Sequence, residues 1–481
     1  MFGLAARAIA TAEGSGASFA DIRVVETRRQ ELRVKNGEAA APADRTTLGY
    51  GVRVLWKGSW GFASGETLTG RAVAETALKA LAIARAGRPL AAGRARLAPE
   101  PAYADVWRTP FLKDPFLLPA GEKLGVLLRA DEAMRKNRKV RLTSSEMRFS
   151  RERQWHLTTD GSRIEQELLH SGAFISATAL ENGEAQLRSY PCLHGGRTFS
   201  GGWETIEALG LEEQAERVGD EAAALLGAPA CPEGVKDLLI SGNQLAMQIH
   251  ESVGHAVELD RALGYEESYA GSTFATPEKL GRFRYGSPLV NLAADATLPG
   301  GLATAGYDDD AVKAQRWHIV KDGLFAGYLT NRELCCRAGE RRSRGCCRAD
   351  GYAHVPITRI CNLSLLPGSS STAELIAGIK DGVLMENNLS WSIDQKRLNF
   401  QFGCEAGWLI RNGRKGRLVK NPSYQGITPA FWRSCDGIAG QGEWSLWSVS
   451  SCGKGQPTQT AMMSHGSSPA RFRNVAIGVH G

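Results

Sequence analysis

Two histidines and a glutamate stand close together in His250-Glu251-Ser252-Val253-Gly254-His255. Neutral imidazole nitrogens are zinc ligands, and a carboxylate beside them can take a proton from water held by the metal, which is the division of labour in zinc peptidases. The residues just before, with Leu245, Met247 and Ile249 at apolar positions, read as a helix. On a regular α-helix, residues four apart are separated by about 40° around the axis and residues five apart by about 140°. His255 lies five residues after His250. Two imidazoles at that spacing meet one ion only where the helix is over-wide or bent, and Gly254 makes such a distortion cheap. Glu251 points about 100° away from His250, so it reaches water as a base without competing for the metal. The plainer reading of the same residues is a helix with one buried and one exposed histidine. Zinc also needs at least a third protein ligand, and spacing does not choose among the remaining histidines, the ten cysteines and the many carboxylates.

The run continues as Ala256-Val257-Glu258-Leu259-Asp260, and further segments follow in order: Gly306-Tyr307-Asp308-Asp309-Asp310, Leu365-Leu366-Pro367-Gly368, Ser451-Cys452-Gly453-Lys454-Gly455-Gln456-Pro457 and Pro469-Ala470-Arg471-Phe472-Arg473-Asn474-Val475. Together with Gly51-Val52-Arg53-Val54 and Trp60-Gly61-Phe62 near the start, they resemble the TldD/PmbA family of zinc metallopeptidases, on its TldD-like, catalytic branch. The resemblance implies one zinc per chain, with Cys452 completing the site as a soft thiolate ligand beside His250 and His255, and water in the fourth position. It implies Glu251 as the general base. It also implies a homodimer, or a heterodimer with a related non-catalytic subunit, that admits unfolded or extended peptide, held by strand addition. Two other readings stand beside it: a cysteine-nucleophile hydrolase using Cys452 with a histidine base, and a non-catalytic peptide-binding or maturation partner of a related peptidase. Glu258 and Asp260 either orient the ligating histidines or form an ordinary exposed helix end.

The elements that must hold these residues are legible from periodicity. Ile22 and Val24, Leu32 and Val34, and Tyr50, Val52 and Val54 alternate as half-buried strands do, with a hairpin turn at Lys57-Gly58-Ser59. Thr69 to Gly87 reads as a helix capped by Thr69, with Val73, Ala77, Leu81 and Ala84 on one face. A second helix is expected from Gly121 to Lys136, and a strand meander from Val140 to Tyr190 with turns at Asp160-Gly161 and Asn182-Gly183. A third helix is expected from Ile206 to Leu226. The Pro- and Gly-rich segment 227–234 marks a domain boundary. Beyond it come a strand at Val235 to Ile240, the histidine helix, a helix near Thr372 to Lys380 and a hairpin at Asn412-Gly413. The expected fold class is α+β in two domains. Residues 1–227 form an N-terminal antiparallel sheet with helices, contributing dimerisation and substrate cleft, and residues 235–481 form a mostly β metallopeptidase domain.

Composition removes other classes. The chain of 481 residues is 43% hydrophobic with 11 Trp and 15 Phe, too apolar for disorder. No run approaches the ~18 apolar residues of a membrane span, and residues 1–20 carry no signal-peptide pattern, so a cytoplasmic protein without a membrane partner is expected. Its charge of +7 is spread too evenly to demand nucleic acid. One local oddity is a pair of cysteine doublets, Cys335-Cys336 and Cys346-Cys347, set among arginines. It reads as a mobile basic loop, with a second metal site or an anion-binding loop as rival readings.

Overall fold

The computed structural model describes residues 1–90, 93–194 and 197–478, and the fold is α+β. A nine-stranded sheet fills the N-terminal part. Its long strands, Phe19–Lys35, Ala43–Trp56, Val140–Thr158 and Arg163–Glu181, pair antiparallel, and Ala104–Arg108 joins Arg163–Glu181 in parallel at one end. The alternation read from the sequence places Ile22, Val24, Leu32, Val34, Tyr50, Val52 and Val54 in the interior. Lys57-Gly58, Asn182-Gly183 and Asn412-Gly413 each put two consecutive residues at positive φ between paired strands. That geometry matches the right-handed twist of the strands that it joins.

Helices cover this sheet with two apolar cores. Phe2–Gly14 and Gly70–Gly87 pack over one part, the latter capped by the Thr69 hydroxyl, which accepts from the Ala72 amide. Ala120–Met134 and Leu211–Gly227 pack over the other. The continuous helix expected over 206–226 is broken. Gly210 takes a left-handed conformation, φ 59° and ψ 49°, which separates Glu204–Glu207 from Leu211–Gly227.

The C-terminal part is β-rich. Strands Gly234–Ile240, Asp381–Ile393, Asn399–Arg411, Ser423–Ile427 and Ala470–Ile477 form a seven-stranded sheet with Arg414–Val419 and Cys435–Ile438, and Gly234–Ile240 also pairs with Ala470–Ile477. A four-stranded sheet that includes Leu292–Asp295 and Leu363–Leu365 lies beside it, and the hairpin Ser445–Lys454 and Gln459–Ser467 stands alone. The histidine helix, beginning at Gly242, is clamped to that hairpin. A Cβ at Gly242 would lie 2.9 Å from the Ser467 carbonyl oxygen and from the Trp447 indole nitrogen, so only glycine allows this approach. The Ser467 hydroxyl donates to the Gly242 carbonyl at 2.7 Å.

The two parts meet through buried charge. Asp308-Asp309-Asp310 receives Arg23, Arg53 and Gln154 from the N-terminal sheet, with Arg53 bridging Asp21 and Asp310. Burial alone would raise the Asp21 carboxyl, but Arg53 and His156 hold it well below the usual range. A buried pair of this kind contributes little net stability, whereas losing one partner leaves the other uncompensated, at a cost of about 3–5 kcal/mol. No helix among the described residues is long and apolar enough to cross a membrane.

Candidate metal centre

The helix that begins at Gly242 is regular to Ile249 and then widens into a π turn over His250–Gly254. The His255 amide donates to the His250 carbonyl, an i to i+5 bond, and this brings residues five apart onto one face. The ring centroids of His250 and His255 are 4.8 Å apart. Neighbouring side chains secure the turn. Tyr285 donates to the Ser252 carbonyl at 2.6 Å, Thr273 to the Ala256 carbonyl at 2.7 Å, and the Trp432 indole to the Ser252 hydroxyl at 3.0 Å. Ile249, Val253, Ala256 and Val257 pack in the C-terminal core. The glycine serves a purpose other than the one expected. Gly254 has φ −52° and ψ −60°, a helical conformation open to any residue. What excludes a side chain there is Ile360, whose Cδ1 would sit 2.8 Å from an added Cβ.

Cys452 arrives from strand Ser445–Lys454. The ladder to Gln459–Ser467 shifts register between Val449 and Cys452, a bulge that re-aims the strand. Cys452 Sγ lies 3.4 Å from His255 Nε2. Donor atoms of His250, His255 and Cys452 all fall within 4.8 Å of one another, and all three residues are buried. Among the described residues, they are the one such cluster of histidine, cysteine and carboxylate side chains. Tetrahedral zinc, with bonds of about 2.0–2.1 Å to nitrogen and 2.3 Å to sulfur, separates neighbouring donors by about 3.3–3.6 Å. The donor set therefore fits the ion in type, the 3.4 Å between Cys452 Sγ and His255 Nε2 matches that spacing, and, both rings being buried, the exposed-histidine reading of His250 and His255 falls away.

Burial pushes the imidazoles toward neutrality, His250 well below its usual range and His255 to about 3, despite the carboxylate beside the latter. Burial raises the Cys452 thiol to about 11, Arg359 pulling the other way. A cation in the cluster reverses that preference, since coordination deprotonates a thiol. Glu251 lies off the cluster. Burial raises its carboxyl against the pull of Arg397, whose guanidinium donates to it at 2.6 Å. His250, Glu251, His255 and Cys452 line one cleft of about 520 Å³ with Met247, Arg397 and Trp391.

Behind these residues stands a shell that the sequence shows only in part. Glu258 is fully buried and 2.8 Å from His255 Nδ1, so it is no exposed helix end. Burial opposes its charge, yet Lys454, 3.1 Å away, and His255 draw its pKa well below the usual range. Asp260 is buried too, but it bonds Lys454 at 2.8 Å instead of a histidine. Behind His250 is His465, 2.8 Å from its Nδ1. The cysteine doublets form no site of this kind. Cys335, Cys346 and Cys347 are buried and Cys336 is exposed. Three of the arginines around them are engaged, Arg342 with Glu100, Arg344 with Glu340, and Arg348 with the Met462 and Ile360 carbonyls. Arg337, Arg341 and Arg342 are exposed, so the segment buries three of its cysteines while keeping a basic face at the surface.

Comparison with known proteins points to one family over most of the chain. The family model for the PmbA/TldA metallopeptidase C-terminal domain matches residues 234–478, that for domain 1 matches residues 20–84, and that for the central domain matches residues 113–227. A metalloprotease of Methanothermobacter thermautotrophicus is 28% identical over 460 residues, covering 96% of this chain and 95% of its own. A metalloprotease of Methanocaldococcus jannaschii is 27% identical over 438 residues, covering 91% and 92%. The crystal structure of TldE from Thermococcus kodakarensis superposes with a TM-score of 0.76 at 15% identity, over 99% of this chain and 100% of that one. At that identity it speaks for the fold.

The close approach at Gly254 yields a test. Gly254→Ala should press on Ile360 and cost about 1–3 kcal/mol, as overpacking does, with weakened zinc binding. Adding Ile360→Val removes the offending carbon and should restore most of both. Thermal unfolding and zinc titration measure the pair, and a Gly254→Ala protein as stable as the parent would show that space at Ile360 is not the constraint.

Proposed function

We propose, for a chain that belongs to the TldD/PmbA metallopeptidase family, that it is a zinc-dependent peptidase hydrolysing unfolded or extended peptides with Glu251 as general base. The observation that carries this reading is the convergence of His250, His255 and Cys452 donor atoms beside Glu251 in one cleft. When bound, zinc supplies Lewis acidity, polarising the peptide carbonyl and acidifying a water. His250, His255 and Cys452 hold the ion. Glu251 accepts a proton as water attacks, and Arg397 pairs with its carboxylate, opposing the rise that burial imposes. The core around the π turn excludes bulk water from one side of the site. Residues 1–227 serve as the dimerisation and cleft-forming part, and residues 235–481 as the peptidase part. The active species is a dimer, with itself or with a related non-catalytic subunit. Light scattering of the loaded protein tests this, and an active monomer would contradict it.

A second reading has one observation in its favour. Cys452 Sγ and His255 Nε2 are in contact, as a nucleophile and its base would be. The convergence of a second imidazole on the same point has no use in that mechanism. Metal analysis also separates the peptidase from a non-catalytic peptide-binding partner, which needs neither zinc nor cleavage.

Glu251→Ala should keep about one zinc per chain and lose cleavage by a factor on the order of 10² or more. Cys452→Ala, His250→Ala and His255→Ala should lose both. Zinc content and peptide hydrolysis are measured on the same preparations. Cleavage that survives chelation and stops with thiol alkylation would move the assignment to the cysteine nucleophile.

A further inference from the structure

We propose that His465 is a positioning residue for this centre, a neutral imidazole that fixes His250 in the tautomer with its proton on Nδ1 and so presents Nε2 to the metal. The proposal rests on the zinc reading above, because a bare Nε2 matters only if an ion takes it. His465 sits on strand Gln459–Ser467, 215 residues from His250, and is fully buried. It is not part of the donor cluster.

The proton assignment follows from what each nitrogen faces. His465 Nδ1 is 2.8 Å from the Leu363 carbonyl oxygen. A carbonyl oxygen only accepts, so Nδ1 carries a hydrogen. The other nitrogen, Nε2, faces His250 Nδ1 at 2.8 Å. Neither nitrogen bonds a carboxylate, and a charged ring buried without an anion is costly, so the ring holds a single proton. Nε2 therefore offers a lone pair, and His250 Nδ1 must donate to it. With one proton on Nδ1, His250 keeps Nε2 free as a ligand atom.

The two histidines are thus steadied by unlike groups. His255 donates from Nδ1 to the Glu258 carboxylate at 2.8 Å, and Lys454 compensates that carboxylate. His250 donates into a neutral relay that ends on backbone. The first arrangement strengthens electron donation to the metal, while the second fixes ring orientation without adding negative charge to the site. Sequence spacing could not reveal this relay, because its three members come from the helix, the hairpin and the four-stranded sheet.

The test uses three readouts on the full chain. In metal-free protein with ¹⁵N-labelled histidine, long-range proton–nitrogen spectra should show His250 and His465 both protonated at Nδ1. Competition with a chromophoric chelator should show His465→Leu binding zinc roughly 10- to 100-fold more weakly than the parent, the usual effect of removing a partner behind a ligand. His465→Gln, whose amide oxygen can accept from His250, should fall within a few-fold of the parent. The visible spectrum of the cobalt-substituted protein should change in His465→Leu and stay near the parent in His465→Gln, with metal-free unfolding temperatures separating effects on the fold. If His465→Leu does not fold, the tautomers and the glutamine variant decide the matter. A proton on Nε2 of His465, or parental affinity and spectrum in His465→Leu, would overturn the proposal. A parent that takes up no zinc would instead overturn the reading of the site on which the relay depends.

Discussion

The five-residue spacing of His250 and His255 is the constraint on which the rest of this site depends. A regular helix would hold the two rings about 140° apart. The π turn closes that angle by giving up the ordinary hydrogen-bond ladder across residues 250–254, a distortion that an isolated helix would not keep. Here the surroundings hold it. Tyr285, Thr273 and Trp432 bond its polar groups, Ile360 fills the space beside Gly254, and the apolar residues of the turn pack in the largest core of the chain. The C-terminal part can therefore be understood as a frame for one irregular helical turn.

The hairpin supplies the other half of the centre economically. Cys452 and Lys454 are two apart on a strand and so share a face. One brings a donor atom to the cluster, and the other pairs with Glu258 and Asp260 and, with His255 and Arg261, favours the charged form of Glu258 against its burial. The facing strand brings His465 behind His250. The donor cluster and the groups behind it thus come from two elements locked together at Gly242, so a shift of the hairpin would disturb all of them at once.

Much of this was legible in sequence, for reasons that differ by residue. The alternation of Ile22, Val24, Leu32 and Val34, the Thr69 cap and the Asn-Gly turns are local signals, and the structure follows them. The helical distortion was implied by the spacing of two histidines, although the role of Gly254 lies in its contact with Ile360, a residue more than a hundred positions away. Glu258 was ambiguous because burial is not a property of spacing. His465 and Arg397 carried no local signal at all, since each acquires meaning only when distant strands meet the helix. The break at Gly210 has no signal in the pattern, because apolar periodicity runs through it.

X-ray absorption at the zinc edge of the loaded protein tests the central claim most directly. The account predicts one sulfur at about 2.3 Å and three nitrogen or oxygen neighbours at about 2.0–2.1 Å, two of them with the outer-shell scattering of imidazole. A first shell without sulfur, or with a single imidazole, would contradict it.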